Sequence, residues 1–204
     1  MKKAIWVVGI SGLAAIAASL AYLLRGDSTE VKTTYADPHA FAQKGQAMVP
    51  WRNPQADMGA FFPGAPIPDT GEPKILALSA HRAELIKRLG NTPLDSNALY
   101  VFPVTGRGSV LLRRVAGEFG AIEVVLGVDT SGKAVGVRIQ RHREPPEIEK
   151  ALASPAFETF FLGKTAQSTF TLPAGIPSAA QRSAEAVMLG VRALLIEYDA
   201  GTRS

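Results

Sequence analysis

Two short runs hold the side chains best suited to chemistry. Ser178-Ala179-Ala180-Gln181-Arg182-Ser183 opens the longest helical pattern outside the N-terminus, and His142-Arg143-Glu144-Pro145-Pro146 follows a strand-like stretch. The first run suits an anion. The opening turn of a helix leaves backbone N–H groups free and carries the positive end of the helix dipole. Arg182 adds a guanidinium that can give a phosphate two parallel hydrogen bonds. Arg138, Arg141 and Arg143 cluster by the second run, as further phosphate partners or as a solvated basic edge. His142 and Glu144 either orient a ligand or close a loop. Glu144 with Glu147 reads as the solvated start of a helix rather than as an acid–base pair.

The elements that must position these residues follow from periodicity. Strand-like runs cover 98–104, 110–115, 120–128 and 134–140, and Pro103 pushes the first of them toward an edge or a strand end. Asp129-Thr130-Ser131-Gly132 joins the last two as a hairpin turn, its glycine free to take a positive φ. Val135, Val137 and Ile139 alternate with Gly136, Arg138 and Gln140, so that strand buries one face and wets the other. Short helices are expected at 146–152 and 155–161, each with a proline near its start, and at 79–89, with Ser79 as N-cap and Gly90 at the C-terminal position. Over 178–198, Ser183, Val187, Gly190, Val191, Leu194, Leu195 and Tyr198 form one helical stripe. The fold class is α+β: an antiparallel sheet covered by helices, mainly on one face.

The order of hairpin, His-x-Glu-x-Pro segment and final helix over roughly 106–198 resembles the FMN-binding domain family of Rnf-type electron-transport complexes and sodium-translocating quinone reductases. In that family a His-x-Glu-Thr-Pro-Gly segment lies near the flavin ring. A later Ser-Gly-Ala-Thr motif esterifies the flavin phosphate through its threonine. The resemblance sets His142 and Glu144 on the first motif, with Pro145 in place of threonine. It sets Ser178, Ala179, Ala180 and Gln181 on the second. A glutamine amide cannot form that ester, Ala179 adds a side chain where the family has glycine, and Gly175 stands where the family has an aspartate. Ser183 matches a second family threonine, and reads either as a shifted attachment point or as an ordinary residue of the first helical turns. The resemblance therefore implies FMN held noncovalently through residues 178–183 with His142 and Glu144, or a fold that has lost its flavin.

The ends set the expected location. Lys2 and Lys3 precede an uncharged run from Ala4 to Leu24 that Arg25 closes. At roughly 1.5 Å per residue such a run spans about 31 Å, near the hydrocarbon thickness of a bilayer. It is longer than the apolar stretch of a cleavable signal peptide. We expect a single-pass anchor at 1–25 in the cytoplasmic membrane, a proline-rich tether without regular structure at 26–72, and an α+β domain at 73–204 on the periplasmic or other extracytoplasmic side. Trp51, Phe61 and Phe62 are apolar enough to dock part of that tether. Setting Lys2, Lys3 and Arg25 aside from the 22 basic residues leaves 19 against 18 acidic ones, a balance with no footprint for nucleic acid. With no cysteine, disulfides, thiolate metal sites and c-type haem attachment are excluded. Gly106-Arg107-Gly108 is half a dinucleotide fingerprint without its context, and His39, His81 and His142 are too scattered for a metal set. Lacking a nucleophile paired with a base, the chain reads as a subunit of a membrane redox complex rather than an independent enzyme. It either transfers electrons through noncovalent flavin or serves as a flavin-free structural or docking subunit.

Overall fold

The alternating stretches become a five-stranded antiparallel meander in the computed structural model, which describes residues 54–67 and 73–203, all within one compact unit, Asp37–Ser204. Strands β1 (Lys74–Ala77), β2 (Ala98–Val104), β3 (Gly108–Ala116), β4 (Ala121–Asp129) and β5 (Ala134–Arg141) pair in sequence order. Asp129 fixes the β4–β5 turn. Its Oδ1 accepts from the backbone N–H groups of Ser131 and Lys133 and from the Ser131 hydroxyl, and Gly132 takes a φ of 78°. The expected hairpin is present as read.

The long C-terminal helix, α5 (Gln181–Thr202), crosses one sheet face and packs against β1 to β4. Its stripe matches the sequence reading: Val187, Val191, Leu194 and Leu195 are almost fully buried, and Ser183 and Gly190 are buried with them. Gly190 lets the helix come close, since a β-carbon there would lie 2.5 Å from Val115 Cγ1. Around α5 stand α2 (Arg82–Leu89), α3 (Pro146–Leu152) and α4 (Pro155–Thr159), and together they close the larger core over Leu111, Val124, Leu126 and Val128. α4 is shorter than expected. Before α2 lies a 3-10 turn, Ser79–His81, and neither helix start is capped by a side chain, so Ser79 does not act as an N-cap.

The second sheet face departs from expectation. Pro54–Phe61, in the stretch read as unstructured tether, is a helix, α1, packed on β3, β4 and β5. Its prolines frame it instead of breaking it. Pro54 occupies the first helical position, where its fixed φ fits and no N–H is needed, while Pro63 and Pro66 fall beyond the last turn. Met58, Phe62, Phe102, Val110, Leu112 and Val125 form a smaller second core beneath it. Phe61 settles into a notch made by two cross-strand glycines, Gly127 and Gly136, where β-carbons would come within 2.7 Å and 2.5 Å of its ring. Helices thus cover both faces. Among the described residues no helix is long and apolar enough to cross a membrane, and the expected anchor at 1–25 lies outside them.

Candidate functional site

The start of α5 and the end of β5 meet at the turn between β3 and β4. This turn, Gly117-Glu118-Phe119-Gly120, is closed by the Gly117 N–H donating to Gly120 O at 2.8 Å, with Gly120 at a φ of 144°. Two of the sequence-predicted residues clamp it from either side. Ser183 Oγ accepts the Glu118 N–H at 2.9 Å, and Glu144 Oε1 accepts the Phe119 N–H at 3.2 Å. Both side chains are buried, Ser183 completely. Glu144 is therefore not the solvated helix start that the sequence suggested. Gly117 explains the closeness, because a β-carbon there would lie 2.2 Å from Glu144 Oε1. The second Glu144 oxygen, Oε2, is buried without a hydrogen-bond partner.

His142 is joined to the same segment. The Glu144 backbone N–H donates to His142 Nδ1 at 3.1 Å, which leaves the ring's proton on Nε2, 3.7 Å from a Glu149 carboxylate oxygen. The remaining residues of the 178–183 run behave differently from one another. Ser178, Ala179 and Ala180 form a 3-10 turn ahead of α5; Ser178 and Ala179 are exposed and Ala180 is buried. Gln181 is exposed. Arg182 is mostly exposed and paired with Glu118 at 3.3 Å. No side chain caps the start of α5.

His142 also lines a cavity of about 330 Å³ on the outer side of β5. Val137 to Gln140 form one wall, α3 and α4 a second, and Ala56 and Asp57 of α1 a third. Asp57 is buried and its Oδ2 accepts from Gln140 Nε2 at 2.5 Å. Arg138 belongs to this cavity, whereas the Arg143 stem runs beside Gly120.

Sequence reasoning missed Asp57, because it sits on the helix hidden in the tether. It also missed a buried ion network elsewhere. Arg113 of β3 reaches Glu197 of α5 at 2.8 Å, Asp95 at 2.5 Å and the Pro93 carbonyl at 2.9 Å. A charged residue inside each of two apolar patterns was the available signal. Among the described residues no group of three or more His, Cys, Asp or Glu is placed to hold a metal ion.

No protein-family model matches this chain, and no curated protein matches it.

Proposed function

We propose that this chain is a membrane-anchored, extracytoplasmic docking subunit of an electron-transport complex, built on a domain that resembles the FMN-binding type and works without flavin. One observation carries the reading: Ser183 and Glu144, the groups best placed to meet a cofactor, are taken up in clamping the β3–β4 turn. The residues present fit FMN poorly. Gln181 has no hydroxyl to esterify, and the Ser183 hydroxyl is buried and already engaged. Arg182, the cation nearest the helix start, is paired with Glu118. The cavity beside His142 holds Asp57, Glu149 and Glu158 against Arg138, an excess of negative charge that opposes a phosphate dianion.

The competing reading, electron transfer through noncovalent flavin, draws support from His142 and Arg138 lining one cavity. A single preparation separates the two. The full chain is purified in detergent, its intact mass measured, and its absorbance recorded between about 350 and 500 nm with and without added FMN, where a flavin would report itself. The docking reading expects an unmodified mass, no flavin band, and co-purification with other membrane proteins in fixed stoichiometry. A flavin band that survives gel filtration overturns it, as does a chain recovered only as free monomer.

A further inference from the structure

We infer that His142 is a proton-operated latch on the β3–β4 turn: the neutral ring keeps Glu144 against the Phe119 N–H, and the charged ring lets it go. Two hydrogen bonds in series and one unpartnered oxygen carry this reading.

The ring decides the first bond. His142 Nδ1 accepts the Glu144 backbone N–H at 3.1 Å, which requires the lone pair on that nitrogen. A proton taken from solvent at Nδ1 occupies the lone pair, and the ring then has two N–H donors and no acceptor. Two donors would face each other, so the bond opens. The side chain is 18% exposed, within reach of solvent protons, and histidine is the side chain whose charge ordinarily changes between about pH 5 and 8. The charged ring also has somewhere to turn, since Glu149 of α3 is the carboxylate in ion-pair reach, 3.7 Å from Nε2. Asp57 of α1, Arg138 of β5 and Glu158 of α4 line the same cavity as the ring, and Arg141, Arg143 and Glu144 flank it along the chain.

The carboxylate is poised to follow. Glu144 Oε1 accepts the Phe119 N–H at 3.2 Å, while Oε2 is buried without a hydrogen-bond partner among the described residues. A buried polar oxygen with no partner is unfavourable, so little beyond this one bond and the backbone that aims it keeps the side chain in place. That backbone is what the His142 bond fixes, because it closes a tight turn from residue 142 to residue 144. Once it opens, the 142–144 backbone is free to rotate and Oε2 moves out to water. Pro146 begins α3 two residues further on, which confines the movement to this short stretch.

The effect is one-sided. The neighbouring Glu118 N–H is held at 2.9 Å by Ser183 Oγ, a completely buried hydroxyl that does not titrate in this range. Acid therefore frees one half of the turn and leaves the other fixed. The freed half carries the Phe119 ring, which is 55% exposed, so the position of this apolar tip comes under the control of pH.

The test uses the full chain in detergent micelles, with amide hydrogen exchange read residue by residue by NMR at about pH 5 and about pH 8. Rates are expressed as protection factors, which remove the pH dependence of the exchange chemistry itself. In the unaltered chain the Phe119 amide is expected to lose about tenfold or more of its protection at the acid pH, while Glu118 and the α5 amides keep theirs. His142→Asn retains an oxygen that accepts the N–H two residues on, as in an Asx turn, and carries no titrating proton. In that variant Phe119 should stay protected at both pH values. His142→Ala has no acceptor, and Phe119 should be weakly protected at both. Phe119 protection that ignores pH in the unaltered chain overturns the latch, as does full protection in His142→Ala. An acid loss in His142→Asn equal to that of the unaltered chain overturns it too, since a carboxylate such as Glu144 would then be the titrating group. A loss shared by Glu118 and α5 marks a general opening and overturns it likewise.

Discussion

Glu144 Oε1 stands 2.2 Å from the point where a β-carbon on Gly117 would be, so the buried carboxylate and the bare glycine form one unit. The carboxylate reaches across to the Phe119 N–H only because Gly117 has nothing in the way. Gly117→Ala must push both this oxygen and Ile122, whose Cδ1 would lie 2.6 Å away. Replacing glycine by alanine ordinarily stabilises by about 0.4–1 kcal/mol through the unfolded chain, but overpacking costs about 1–3 kcal/mol, and the second term wins here. A urea titration should show the variant's midpoint lowered.

Arg113, itself buried, joins β3 to the buried Glu197 of α5 and to the more exposed 93–95 segment. Arg113→Met removes the cation and leaves Glu197 as a buried charge without its partner, a change expected to destabilise by about 3–5 kcal/mol. Replacing both residues with apolar ones of similar volume, Arg113→Met with Glu197→Leu, should recover most of that loss. The comparison of the two variants in one denaturant series checks it.

The same pair sets a pH dependence. Burial raises the Glu197 carboxyl above its ordinary 4.5, against the pull of Arg113, and the Asp95 charge on the same guanidinium adds to the rise. The folded state therefore holds this proton more tightly than the unfolded one. Its contribution is complete below the ordinary value and is lost as pH climbs through the raised one. Glu197→Gln, which keeps an acceptor for Arg113, should flatten that decline. Unfolding midpoints measured from pH 4 to pH 8 on both proteins will show whether it does.

Gly127 and Gly136 receive the Phe61 ring, and this contact helps keep α1 on the sheet. Gly136→Ala fills the notch and should release α1 while leaving the α5 side intact. Limited proteolysis gives the readout. Cleavage near residues 54–67 should rise several-fold, while α5 remains protected. Unchanged protection of α1 would show that Phe61 does not anchor it.

Much of this fold could be read from residue order. The period of β5, the Asp129–Gly132 turn and the α5 stripe each repeat one local rule often enough to stand alone. α1 could not be read this way. Eight residues framed by prolines look like breakers, and the glycines that receive Phe61 lie some seventy residues along the chain. β1 escaped because four residues are too few for an alternation. At the candidate site, His142, Glu144 and Ser183 stand out in the sequence chiefly through the motifs of the family it resembles. Their partner was not, because Glu118 and Phe119 contribute only backbone N–H groups, which any residue has.

Nearest-neighbour strand order has a consequence for how the chain acquires this shape. The β2–β3, β3–β4 and β4–β5 hairpins can each zip from a short turn at small entropic cost, which favours rapid early pairing. The larger greasy face nevertheless stays only partly covered until the twenty-two residues of α5 lie down on it. A chain in which α5 is not yet docked would thus present a formed but incompletely covered sheet, the species most prone to stick to others. Docking of α5, more than the pairing of any strand, commits this domain to its native state.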